Sequence, residues 1–211
     1  MKAFHNEPKI KEKYIARVKA HQKADEIIKG KYWENGKGCA VGCTIESSEH
    51  LRYETELGIP EVLARLEDGL FEEMSNEDAK KFPLQFLEAI PVGADLSKVF
   101  IKLVIWEWED EEHGLKNIKE IAEDSELVDC CEKVVALYKR TLADEEVKTT
   151  EWVALEELAE KIYGAGLRSW ARAWAGAWAR AGAGAGADYD AYYLALSNEF
   201  IRLLRATEVR R

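Results

Sequence analysis

Between Asn117 and Leu142 the apolar residues Ile121, Val128, Cys131, Val135, Tyr138 and Leu142 fall in one stripe at helical spacing. The same period recurs along most of the chain, and it constrains the fold more than any other feature. Ile10, Tyr14, Val18 and Ile28 predict an amphipathic helix from Pro8 to Lys29, which Gly30 ends. Ser47 or Ser48 caps a helix through Leu57, Gly58 closes it, and Pro60 opens another that buries Leu63, Leu66, Leu70 and Met74. Ser75 and Asp78 resemble a capping box, and Pro83 is expected to interrupt the helix they start. The run from Lys98 to Glu112 is β-prone in composition but too long and too weakly alternating for a strand, so it reads as a buried helix. The expected fold is all-α: a compact helical core over residues 1–148, then an alanine-rich helical hairpin over 149–211.

In that C-terminal stretch Trp170, Trp174 and Trp178 step by four, so they share a helical face, with Arg168, Arg172 and Arg180 among them. Packing in a hairpin or dimer is the default for such a ladder, and stacking on bases or nucleotide rings is the alternative. Gly182, Gly184 and Gly186 end that helix. Asp188 caps a last one, in which Tyr189, Tyr193, Leu196, Phe200 and Leu203 face one way.

Charge narrows the function classes. The net charge of −10 conceals a middle, residues 31–160, with fourteen basic against thirty-two acidic side chains, whereas both ends are basic. A field of that sign repels nucleic acid, so general DNA or RNA binding by the body is not expected. The basic ends suit pairing with the acidic middle, within one copy or between copies of a homo-oligomer. No apolar run approaches a bilayer span, and the charged N-terminal stretch lacks the apolar core of a signal peptide, so the expected location is the cytoplasm. The cysteines are then reduced, and the neighbours Cys130 and Cys131 make a disulfide framework a poor reading.

The segment Tyr32–Thr44, YWENGKGCAVGCT, breaks the helical pattern with three glycines in seven residues. Together with YETELGIPEVLARLED and FPLQFLEAIPVGADL it resembles an uncharacterised family of bacterial and phage proteins over roughly residues 30–100, and more loosely over the alanine-rich end. Where that family tends to carry histidine after its Cys-Thr-aliphatic run, this chain has Glu46. The resemblance implies a helical fold with its functional or structural centre between Gly36 and Asp68, and it brings no activity.

Two chemistries fit this segment. Glycine lets backbone amides converge on an anion, with Lys37 and Thr44 adding donors, although Gly42 is followed by Cys43 and not by the Lys-Ser/Thr of a nucleotide-binding loop. The plainer reading is a tight turn that lets a helix approach Tyr32 and Trp33. Alternatively Cys39, Cys43 and His50 form a thiol-and-base pair or three metal ligands, lacking an evident fourth. His50, Tyr53 and Glu54 lie on adjacent turns and can read a ligand's polar edges. Glu67 and Asp68 are adjacent on a helix, about 100° apart, and alone do not make a hydrolytic acid pair. The expected ligand-binding set is Trp33, Lys37, Gly38, Cys39, Gly42, Cys43, Thr44, His50, Tyr53 and Glu54. No catalytic residue, metal or cofactor is assigned. The expected function is non-catalytic binding of a small anionic ligand, a nucleotide-like one included, or of a protein partner, with interference in host signalling by sequestration as the role in a phage setting. The alternatives are a thiol- or metal-dependent enzyme and a self-assembling structural protein.

Overall fold

The computed structural model describes residues 1–163 and 189–209, and within them the fold is all-α apart from one tiny hairpin. The elements are α1 (Pro8–Lys23), β1 (Trp33–Glu34), β2 (Lys37–Gly38), α2 (Ala40–Ile45), a π-helical turn at Tyr53–Leu57, α3 (Glu61–Glu73) and α4 (Asn76–Ala89). After these come α5 (Val99–Glu109), α6 (Lys119–Ala122), α7 (Ser125–Leu142), α8 (Thr149–Tyr163) and α9 (Tyr189–Arg205). No described helix is long and apolar enough to cross a membrane.

The chain divides into two units, Met1–Phe100 with Tyr193–Arg211, and Ile101–Tyr192. The boundary expected between residues 148 and 149 falls inside the second unit. The tryptophan ladder, its glycines and the Asp188 cap lie outside the described residues.

In the first unit α1 packs on α4 and α2, and α2 on α3, around Phe4, Tyr14, Val18, Phe82, Phe86 and the last helix's Phe200, whose ring lies 5.6 Å from that of Phe86. The second unit pairs α7 with α8, where Tyr138 meets Trp152 at 5.2 Å, and its buried Tyr192 donates to Glu107 at 2.7 Å.

Several boundaries depart from the sequence expectation. The first helix ends at Lys23. Beyond it the backbone turns through left-handed Asp25, and Ile27 then pairs with Gly38. Pro83 does not interrupt α4, which runs unbroken with Ser75 Oγ accepting from the amide of Asp78 at its start. Proline removes one internal hydrogen bond there, and the burial of Phe82, Pro83, Phe86 and Leu87 along that helix outweighs the loss. The stripe from Asn117 to Leu142 is broken, because Asp124 starts a new helix by accepting from the Leu127 amide at 3.0 Å. On α3 the expected stripe holds Leu63, Leu70 and Met74, but Leu66 is only half-buried, and Glu67 and Asp68 are buried beside them.

Candidate functional site

The glycine-rich segment folds as a two-residue hairpin. Asn35 and Gly36 both take left-handed φ, 52° and 81°, as a type I′ turn demands, and Trp33 pairs with Gly38 across the ladder. The amides of Gly38, Cys39, Gly42 and Cys43 are spent on folding. Gly38 N–H donates to Glu26 O, and the Gly38 carbonyl accepts from Ile28 N–H. Cys39 N–H donates to the carbonyls of Lys31 and Tyr32, and Cys43 N–H to Cys39 O. Cys39 caps α2, its sulfur accepting from Gly42 N–H at 3.4 Å.

The glycines at 38 and 42 answer to steric need. A Cβ on either would collide with the carbonyl of Tyr32, which crosses directly over them. The segment is thus a close-packed turn that lets α2 approach Tyr32 and Trp33, with the amides of Gly38, Cys39, Gly42 and Cys43 turned to acceptors inside the fold.

The expected site residues separate into two groups. Trp33 stacks edge-on against His21 at 5.4 Å. Exposed Lys37 lies toward Asp25 and lowers its pKa, after the larger effect of Lys80. Glu54 accepts from the Glu61 amide at 2.9 Å and so serves the start of α3. Cys43 is buried with its thiol on the carbonyls of Gly38 and Glu26. The other group, Cys39, Thr44, His50 and Tyr53, gathers around two carboxylates that α3 carries inward, Glu67 and Asp68.

Glu67 is fully buried. Tyr53 Oη donates to its Oε2 at 2.9 Å, while Oε1 has no hydrogen-bond partner. Burial, reinforced by the neighbouring Asp68, holds its carboxyl well above the usual glutamate range despite the Tyr53 bond. The Tyr53 hydroxyl is likewise raised, chiefly by burial and then by Glu67. Asp68 is 7 % exposed; its Oδ2 faces His50 Nε2 at 3.3 Å, and its Oδ1 is unpartnered. His50 in turn meets the ring of Tyr32 edge-on at 5.5 Å.

Asp68 borders a cleft of roughly 200 Å³, whose other walls are Gly30, Lys31, Tyr32 and Glu72. Both Glu72 oxygens accept from Gly30 N–H, at 3.1 and 2.9 Å, and burial raises that carboxyl too. Lys31 is turned to Glu34 at 2.6 Å. None of these wall residues belongs to the set expected from sequence, although His50 touches two of them, Tyr32 and Asp68.

The sequence did hold a signal for Glu67. It follows Leu63 by four and precedes Leu70 by three, which places a carboxylate on the apolar stripe.

The thiol and metal chemistry of Cys39, Cys43 and His50 meets a different geometry. Burial, then a hydrogen bond with Asp68 and the charge of that carboxylate, raises the Cys39 thiol; burial pushes Cys43 up to about 12. Cys39 donates to the Tyr32 carbonyl, and His50 bonds Asp68, so the described contacts contain no thiol–imidazole pair. Among the described residues no cluster of three or more His, Cys, Asp or Glu side chains is disposed to hold a metal ion.

Comparison with known proteins adds no family or function: no family model, no curated protein and no solved structure matches this chain.

Proposed function

We propose that this chain is a non-catalytic binding protein that seats a small ligand in the cleft between Gly30–Tyr32 and α3. The observation that carries this reading is Asp68. A carboxylate that is 7 % exposed, borders a cleft and stands beside His50 and the exposed ring of Tyr32 gives a small ligand a polar anchor at the cleft wall. Such an anchor suits ligand binding better than it suits a structural core.

The volume, roughly 200 Å³, is below the range of about 300–1,000 Å³ typical of pockets for drug-sized ligands, and supports a molecule smaller than a nucleotide. The amides of Gly38, Cys39, Gly42 and Cys43, already bonded within the fold, give no support to an anion cradle there. Binding without turnover fits thiols held protonated and apart from His50. In a phage setting, and in the cytoplasm where the charged N-terminal stretch leads us to expect it, such a protein acts by sequestering its ligand and so interfering with host signalling.

Thermal-shift screening of a panel of amines, amino acids and nucleotides against wild type and Asp68→Asn tests the reading. A compound that raises the wild-type Tm and not that of the folded variant is expected. A panel with no wild-type shift, or with hits indifferent to Asp68, removes it.

A further inference from the structure

We infer that Lys2–Glu7 is a strained latch, which clamps the π-helical turn Tyr53–Leu57 while closed and opens as a unit ahead of the rest of the fold. Phe4, His5 and Asn6 take left-handed φ in succession, 53°, 51° and 62°. Residues with a Cβ visit that region singly, because the Cβ crowds the following carbonyl. Asparagine tolerates it, whereas a bulky residue such as phenylalanine does so only under constraint. Such a run stores strain and persists only where its surroundings over-determine it.

The constraint is local and small. Ala3 and Phe4 are fully buried, and the Lys11 ammonium lies 5.6 Å from the centre of the Phe4 ring. Ala3 N–H donates to the Ala94 carbonyl at 2.9 Å, and Gly93 N–H returns a bond to the Ala3 carbonyl at 2.8 Å. The turn closes on itself through His5 N–H to Lys2 O and Glu7 N–H to Phe4 O. Two left-handed glycines make room for it: a Cβ on Gly58 would strike Lys2 O, and one on Gly93 would strike Asn6 Oδ1. Beyond it, extended Glu7 leads into Pro8 at the start of α1, so the latch lifts without unwinding that helix.

Closed, the latch bears on the π-helical turn. His5 Nε2 donates to the Thr55 carbonyl at 3.1 Å, and Lys2 O rests against Gly58, which caps the turn. Turns of this kind are rare and concentrate at functional sites. This one carries Tyr53, the donor to Glu67, and the helix that holds Glu67 also brings Asp68 to the cleft wall. The state of the latch therefore reaches the cleft through Tyr53, and its opening requires no ligand there.

Native-state hydrogen exchange on the full chain, read by NMR, tests the latch. The amides of Ala3, Glu7 and Gly93 are expected to exchange together, about 100-fold or more faster than that of Phe86 in α4. Asn6 is exposed, so substitutions there alter the strain and leave the Phe4 burial untouched. Asn6→Gly should slow those three amides about threefold, and Asn6→Val should speed them about tenfold. The amides of Gly58 and Ile59, which donate to Glu54 O and Tyr53 O, should follow in the same direction while Phe86 stays unchanged. Exchange of Ala3, Glu7 and Gly93 at the rate of Phe86 overturns the latch, and wild type alone decides this if Asn6→Val fails to fold. Equal rates in the two variants overturn the strain, and Gly58 and Ile59 amides indifferent to both overturn the clamp.

Discussion

The hydroxyl of Tyr53 donates to Oε2 of Glu67 at 2.9 Å, with both side chains fully buried, and it is the one hydrogen bond this carboxyl makes among the described contacts. Tyr53→Phe keeps the ring against Phe86 and deletes the hydroxyl, with its bonds to Glu67 and Thr44. An acidic group stranded in a dry core costs about 1–3 kcal/mol, so urea denaturation should show a loss of that size. A loss near zero would mean that Glu67 finds another donor, and that the Tyr53 bond does not organise this core.

Glu67 also links stability to pH. Its native pKa lies well above the ordinary 4.5, mainly through burial, so the folded chain keeps a proton that the unfolded chain has released. The favourable contribution is therefore complete below about pH 4.5 and is lost as pH rises to and through the elevated native value. Glu67→Gln substitutes a neutral amide for the protonated carboxyl and should gain on wild type as pH increases. The gain has a ceiling of about 1.4 kcal/mol per pH unit within that window. Chemical denaturation at about pH 5 and about pH 8 reads the difference. Parallel curves for the two proteins would show that Glu67 ionises normally in the fold.

Helical spacing made the all-α class legible, because a 3.6-residue apolar period is written directly into Tyr14 with Val18 and Leu63 with Leu70. The hairpin at Trp33–Gly38 was less visible. Its strands are two residues each, too short to alternate, and its one sign was the Asn35–Gly36 pair, whose left-handed φ values a type I′ turn requires. Part of the site was foreseeable: Cys39, Thr44, His50 and Tyr53 do converge. What they converge on was legible only in part: Glu67 sits on the apolar stripe between Leu63 and Leu70, whereas Asp68 falls off it and is buried only because α3 turns it toward the unit's interior. The cleft walls at Gly30, Lys31 and Tyr32 escape local reading altogether. They meet α3 through a separation of about forty residues, which no short-range pattern records.

The four cysteines, all free and buried with raised thiol pKa values, should be inert in the native state. A chromogenic disulfide reagent at mildly alkaline pH is expected to react with them on the order of 100-fold more slowly than with the unfolded chain, releasing all four in denaturant. One thiol reacting natively at the rate of a small peptide would revive the nucleophile proposed for Cys39 or Cys43.

Two glycines offer opposite outcomes that tie packing to the cleft. At Gly42 a Cβ would intrude on the Tyr32 carbonyl, which is backbone and cannot rotate away. Gly42→Ala should therefore cost at least about 1–3 kcal/mol. Because the displaced residue also walls the cleft, ligand affinity should fall with stability. Gly69 lies inside α3, with nothing within 4 Å of an added Cβ. Gly69→Ala gains helix propensity without a clash, and should stabilise by about 0.5–1 kcal/mol while leaving affinity unchanged. Paired melting curves and calorimetry separate the two positions. If Gly42→Ala proved as stable as wild type, the close passage of the Tyr32 backbone over α2 would be wrong, and with it the placement of the cleft's aromatic wall.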